Sequence, residues 1–500
     1  LKNFKSKNLL FAVLPIVVVS VISLILVLSN QSKKKAIPIE VLKVSLESIP
    51  KDLSVSNFSD INSFNILTAI HLSLLSTNYR NDLFSGAAKS WSVSKDKKKY
   101  NFALDLKLFF SDTVSFSCAD VNYTFKKILQ RRVTPLAFEL IKTYRCLSEA
   151  TFEIELHQPS TTLLNSLAHL DTSVLSVNNK EDQDLIGLGP YMYNFRDKRG
   201  VNLQRKVTHR KLTQASPQKI TFILNEGLEH TLSKFKNLEI DVLEFKGQIP
   251  DNFSDRIVTA RAVSRVWYLG WGDNINLPIE FKRCLYNFID RKLLRDSMIP
   301  YQNQYEQAFG IVSPYMGGRV TANVLQRVDL KKCQYGRQIE MIAMSSTSDR
   351  LLNEVKNQFR AIGIQLKIEK LRKTELLKKI MTRKYQMTLV SFGTDQIPEQ
   401  TLFYFYSKNS PVPIIANEDR TYQEDLEQIE KNSNSKDRHD LINKFEIKMA
   451  SSPLIIPVLF EKQAYLVQDC IDSSNMATAG TMNYNLLEGV PDCVSSKTNK

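Results

Sequence analysis

An α/β protein built from more than one lobe is what this sequence predicts, on three observations. Its 500 residues exceed what one hydrophobic core serves, since single cores stop growing near ~250–300 residues. Strand-like alternation recurs along the chain, repeatedly followed by an apolar helical stripe. Residues 339–368 read as a complete strand–helix–strand unit, which implies a parallel pair joined by a right-handed crossover.

Taken in order, the first element is Leu9–Leu28, LLFAVLPIVVVSVISLILVL, which carries no charge. As a helix it would rise about 30 Å, the thickness of a bilayer's hydrocarbon core. Lysines before it and polar SNQS after it suit a long signal sequence, whereas its length suits an uncleaved anchor better. Residues 36–500 hold no second such run and are expected on one side of the membrane, outside the cytoplasm. No cysteine precedes Cys118, so an acylated-cysteine anchor is not expected.

VLKVSL (41–46) alternates as a strand, and Phe64, Leu67, Ile70, Leu74 and Leu75 then fall at helical intervals. GAAKSW (86–91) reads as the end of a helix, followed by a charged turn. Tyr100, Phe102, Leu104 and Leu106 then share one face of a strand. Ser117 and Asp120 form an S-x-x-D capping box ahead of a helix striped by Val121, Phe125, Ile128 and Leu129. TFEIELH (151–157) is a strand, and Gly189-Pro190 marks a turn.

KITFILN (219–225), a short helix around Leu232 and Phe235, LEIDVLEF (238–245) and RVWYLGWGDN (265–274) continue the alternation. From Phe281, FKRCLYNFIDRKLLRDSMI reads as one long helix with Leu285, Phe288, Ile289 and Leu293 on one side. IEMIAMS is a strand. Leu351, Val355, Phe359 and Ile362 stripe a helix, Gly363 stops it, and Ile364, Leu366 and Ile368 resume the strand pattern. TELLKKIMTRK then feeds the strand YQMTLVSFG. EKNSNSKDRHD (430–440) reads as a solvated connection between helices.

The formal charge is +15, and the first 35 residues alone contribute six lysines and no acid. Elsewhere lysines lie among acids with no basic stripe interleaved with aromatics, which argues against nucleic acid as a partner. There is no G-x-S-x-G, H-E-x-x-H or Walker loop. In GLGPYM, Met192 stands where a dinucleotide fingerprint needs its third glycine. Six histidines are scattered without ligand spacing. No catalytic residue, metal ligand or cofactor is nominated, and an enzyme is not expected. Six cysteines allow fifteen pairings; export favours disulfides, and the sequence-local set Cys118–Cys146, Cys284–Cys333 and Cys470–Cys493 is expected, with buried free thiols as the alternative.

The order of these elements resembles the family 5 extracellular solute-binding proteins, the oligopeptide and dipeptide receptors of ABC importers. GAAKSW resembles that family's glycine-to-tryptophan turn. KDKKKYNFALDLKLFFSD resembles its charged turn, strand and loop, with Thr113 where glycine is usual, and CADVNYTFKKIL its following helix. GLGPYMYNF, LEIDVLEF, CLYNFIDRKLL and FRAIGIQLKIE resemble later family segments, in family order over roughly residues 40–467.

The resemblance implies a two-lobed periplasmic-binding-protein-like (type II) fold with an extra subdomain on lobe I, preceded by one N-terminal hydrophobic helix. Its divisions would be 1–35, signal sequence or anchor; 36–270, lobe I, with the subdomain at about 81–188; 271–465, lobe II; and 466–500, the return to lobe I and tail. It implies a monomer that closes on a peptide or related small solute and delivers it to the permease subunits of an ABC transporter. A membrane-anchored sensor or scaffold ectodomain is the alternative. In SFGTDQIPEQTLF (391–403), Asp395 falls on the aspartate that pairs with a peptide's α-amine in oligopeptide-binding members, a charge-assisted bond that fixes register. Phe392 would supply an apolar wall, and Trp267, Tyr268 and Trp271 crowd the strand entering the second lobe, where cleft aromatics are expected.

Overall fold

In the computed structural model the described residues run from 39 to 472, with internal segments such as 245–256, 394–396 and 415–421 excepted, and include residues 488–489. The apolar run Leu9–Leu28, Asp395 and Cys493 lie outside them. Among the described residues no helix is long and apolar enough to cross a membrane.

β1 (Val41–Leu46) opens the first lobe, and the helix Ile61–Ile70 follows it. Leu74 and Leu75 are not part of that helix, as their spacing suggested. Leu75 instead begins β2 (Leu75–Thr77), which pairs antiparallel with β3 (Leu83–Ser85). GAAKSW is likewise no helix end, since β4 (Ala88–Val93) runs through it. The reason is non-local. The amides of Ala87 and Ala88 donate to the carbonyls of Ser73 and Leu74, and a Cβ on Gly86 would come within 2.3 Å of the Ser73 oxygen. The extended 73–75 segment therefore takes residues 86–88 as its neighbour.

β5 (Lys99–Leu104), β6 (Ile141–Ser148) and β7 (Thr151–Leu156) join β4 in an antiparallel sheet ordered β4-β5-β7-β6. The capping box forms, with Ser117 N–H donating to Asp120 Oδ2 at 3.0 Å, and the helix Cys118–Leu129 lays Val121, Phe125 and Ile128 on that sheet. Phe125 stacks within 4.8 Å of Phe152 and 5.4 Å of Phe138. Leu129, expected on the stripe, and Leu106, expected on the strand face, are exposed. Cys118–Cys146 ties this helix to β6, and Cys284–Cys333 ties two segments of the second lobe; Cys470 is also disulfide-bonded. The 470–493 pairing involves a residue outside the described set.

The chain returns through β8 (Tyr191–Arg196), β9 (Gly200–Arg205) and β10 (Lys219–Leu224) to β11 (Val242–Glu244). β10 and β11 flank β1 in parallel, and their apolar residues meet the first helix in one core containing Leu42, Val44, Ile66, Ile70, Val201 and Phe222. β12 (Ile257–Trp271) then crosses to the second lobe. The long helix predicted from Phe281 is two helices, Ile279–Phe288 and Arg291–Asp296, because the Asp290 side chain caps the second by accepting from the Leu293 amide at 3.0 Å. That break turns Arg291 inward, where it donates to the carbonyls of Ala308, Pro457, Tyr286 and Ile289.

After β13 (Tyr305–Gln307) comes the strand–helix–strand unit. β14 (Gln338–Met344) and β15 (Gln365–Leu371) are parallel, the helix Asp349–Ala361 lies between them in sequence, and Gly363 follows it at φ +77°. β16 (Met387–Gly393) joins β14 in parallel, and β17 (Ile455–Val467) closes the sheet. The sheet runs β15-β14-β16-β12-β17-β11-β1-β10-β9-β8 without interruption, with β13 pairing β17 beside this path. Its second-lobe part is buried on both faces, one around Tyr268, Phe405 and Phe445, the other around Leu269, Trp271 and Met387.

Candidate functional site

In open α/β sheets ligands bind beyond the carboxyl ends of parallel strands, and here two sets of such ends aim at one place. In the first lobe β11 ends at Glu244, opposite Tyr465 of β17. In the second, β16 ends at Gly393, opposite Arg265 of β12, which is itself opposite Glu461 of β17. Four residues of strand separate Glu461 from Tyr465, about 13 Å. β12 and β17, which link the lobes, shift register between Thr259 and Val263, between Val263 and Arg265, and between Trp267 and Tyr268. Such irregularities bend a strand pair locally, as a hinge requires.

The side chains over this hinge are polar and mutually engaged. Trp267 Nε1 donates to Glu461 Oε2 at 2.7 Å, Arg265 Nη1 to Ser391 Oγ at 3.3 Å, and Gln463 Nε2 to Glu244 Oε1 at 2.9 Å. Tyr465 OH donates to Gln463 Oε1 at 2.6 Å. Beside them Lys462 pairs with Glu306 and lies 5.4 Å over the Tyr315 ring.

The nominated residues divide. Asp395 lies outside the described residues, two positions past the end of β16. Phe392 is half-buried, with its ring 5.3 Å from Phe405 in an edge contact, and Tyr268 meets the same Phe405 at 5.5 Å. Period-two alternation sends Trp267 and Trp271 to the opposite face. Trp271 is 6% exposed within the second lobe's core, with Lys282 5.0 Å over its ring, while Trp267 is half-buried at the hinge. Phe392 and Tyr268 are thus brought together, and the two tryptophans are set apart from them.

Away from the hinge the small subdomain touches the second lobe directly, at residues that reading the sequence missed. Ser160 Oγ and Thr162 Oγ1 donate to Glu430 Oε1 at 3.0 and 2.8 Å, and Thr161 Oγ1 donates to the Glu430 carbonyl at 3.2 Å. Glu430 opens the stretch 430–440 expected to be solvated, yet it is buried. Its helix, Gln423–Lys431, buries Leu426, Ile429 and Glu430. A carboxylate four residues after Leu426, on the apolar stripe, is the signal that could have exposed it. Burial pushes the Glu430 carboxyl up to about 7. Among the described residues no cluster of three or more His, Cys, Asp or Glu could hold a metal.

Comparison with known proteins adds independent findings. The family model for bacterial extracellular solute-binding proteins, family 5 middle region, matches residues 83–413. No curated protein sequence matches the chain. Among solved structures, the ABC transporter-associated periplasmic binding protein DppA of Helicobacter pylori, in complex with the peptide STSA, superposes with TM-score 0.75 at 17% identity, covering 92% of this chain and 99% of that one. The ABC transporter substrate-binding protein CtaP of Listeria monocytogenes gives 0.77 at 17% identity over 91% and 100% of the two chains. NikZ of Campylobacter jejuni, in complex with Ni(L-His), gives 0.73 at 16% over 90% and 100%.

Proposed function

Because this chain belongs to the bacterial extracellular solute-binding proteins of family 5, we propose that it captures a peptide, or a related small solute, between its lobes and delivers it to the permease subunits of an ABC importer. The observation that carries this reading is the convergence of both sets of strand ends on Glu461–Tyr465. A solute lying over those residues reaches both lobes at once. It then binds the closed state better than the open one, and only that difference in affinity drives closure.

Backbone hydrogen bonds from both lobes would take up the peptide main chain, with Asp395 as the anchor for its α-amine and Phe392 as the apolar wall beside it. Tyr268 and Trp271 hold the second lobe's sheet rigid beneath that edge, and Trp267 orders the hinge carboxylate Glu461. The chain acts as an exported monomer, with Leu9–Leu28 as its signal sequence or membrane anchor, and needs no cofactor. The sensor or scaffold reading has no observation of its own in its favour.

The test has two parts. Mass spectrometry of solute released from the purified protein should recover peptides. Asp395→Asn should weaken binding of a recovered peptide by about 1.5–3 kcal/mol, the range for a hydrogen bond to a charged group. N-acetylation of the peptide should cost wild type a similar amount, and the two losses should not add, because each removes the same pair. Equal affinity of wild type and Asp395→Asn would remove the amine anchor and leave a solute held elsewhere in the cleft.

A further inference from the structure

The contact at Glu430 joins the subdomain to the second lobe away from the hinge. Ser160, Thr161 and Thr162 belong to the subdomain, in the loop after β7, and Glu430 is 268 to 270 residues away in the second lobe. Ser160, Thr162 and Glu430 are all buried. Tyr100 OH, from β5, donates to the Ser160 carbonyl at 3.2 Å and steadies the loop. On the second lobe's side, Arg438 of the helix Ser435–Ser451 pairs at 2.6 Å with Glu399 of the helix Pro398–Tyr406. Two buried carboxylates thus share one guanidinium, and its close partner is Glu399. Glu430 Oε1 receives two hydroxyls, while its Oε2 has no hydrogen-bond partner among the described residues.

We propose that the Ser160–Thr162 loop and Glu430 form a proton-dependent latch, which holds the lobes together while Glu430 is protonated and lets them part as it ionises.

The charge count carries the argument. Hydroxyls are neutral donors, and among the described residues Arg438 balances one carboxylate, so an ionised Glu430 leaves a negative charge unmatched there and buried at the contact, the costly case for a low-dielectric site. A proton on Glu430 removes that charge and still leaves a carbonyl oxygen for Ser160 and Thr162. The groups facing it agree. Burial has the largest effect and, with the Glu399 carboxylate, raises the Glu430 carboxyl, while the Thr162 and Ser160 hydroxyls and Arg438 oppose the shift, leaving it at about 7. Tyr100, the titratable group on the subdomain side, is itself raised by burial and by Glu430, so it remains a neutral donor near pH 7.

Parting the lobes returns Glu430 to water and to its ordinary value of 4.5. The closed form therefore binds the proton more tightly than the open form. The latch is at full strength below about 4.5 and is lost as pH rises through about 7. None of its residues lies in the hinge segment, so it stands whatever solute the cleft takes.

The experiment is single-molecule energy transfer between dyes on the subdomain and the second lobe of the full chain, without added solute, from about pH 5 to about pH 8. The ratio of closed to open molecules should fall by roughly tenfold or more over that range. Glu430→Gln, neutral at every pH and still an acceptor, should keep the high ratio throughout. Thr162→Val should lower the ratio at low pH, and it remains a test if Glu430→Gln does not fold. A wild-type ratio independent of pH would overturn the latch. So would a Glu430→Gln protein that follows the wild-type profile, or a Thr162→Val protein as closed as wild type at pH 5.

Discussion

The two places where the lobes meet are built on different chemistry. At the hinge, β12 and β17 carry one sheet from lobe to lobe, and their backbone ladders bend at a few shifted registers. At Glu430 nothing is continuous, because three hydroxyl-bearing side chains reach one buried glutamate across the gap. Backbone ladders form at any pH, whereas a buried carboxylate holds its contact only in the right protonation state. The difference teaches that flexure and closure are separable in this molecule, one set by strand geometry and the other by side-chain electrostatics.

The sharpest way to break the hinge side is Arg291. Its guanidinium donates to carbonyls on both sides of the helix break and to Pro457 at the start of β17, and burial lowers it to about 10. Arg291→Met should cost about 3–5 kcal/mol, since it strips donors from several buried carbonyls at once. Urea unfolding of the variant should show the loss equally at pH 5 and pH 8, in contrast to the Glu430 contact. A pH-dependent loss would mean that the two regions are coupled.

A milder change sharpens the same contrast. Trp267→Phe keeps an aromatic ring, though a smaller one, and deletes the Nε1–H that donates to Glu461 at 2.7 Å. Because the site is only half-buried, the cost should be about 1–2 kcal/mol in thermal unfolding. The closed-to-open ratio at pH 5 should not change. If that ratio falls, the hinge polar groups set closure as well as flexure.

The smallest expected effect lies in the subdomain, away from both contacts. Thr113 stands where the family resemblance expects glycine, and it adopts φ +68°. A left-handed residue with a Cβ costs about 1–2 kcal/mol, and glycine returns part of that as unfolded-state entropy. Thr113→Gly should therefore stabilise the protein by about 0.5 kcal/mol, read as a slightly higher Tm with the pH profile of closure unaltered.

Much of the fold was legible because the relevant forces act between near neighbours. The strand–helix–strand unit at 338–371 forms in parallel, Gly363 adopts the positive φ that ends its helix, and Ser117 and Asp120 cap the helix they were expected to cap. Period and cap chemistry reach only three or four residues, so the sequence displays them directly.

The site was less legible. Family order pointed to the strand edge that precedes Asp395, but nothing local said that Tyr268 and Trp271 would be consumed by opposite faces of one sheet. A strand's alternation shows that neighbours face opposite ways, and not which face meets a cleft.

By itself, then, the sequence determined the helices and strands whose partners lie within a turn or a pleat, the α/β class, and the family order of its segments. Tertiary structure alone decided the rest. GAAKSW became a strand because Ser73 and Leu74 offered it carbonyls. Arg291, just after the helix break, turned inward toward carbonyls at 308 and 457. Glu430, at the head of an otherwise mostly exposed connection, turned inward against hydroxyls from the other lobe. In each case a polar group met a partner far along the chain, and such meetings follow from how the lobes pack, which no short window of residues encodes.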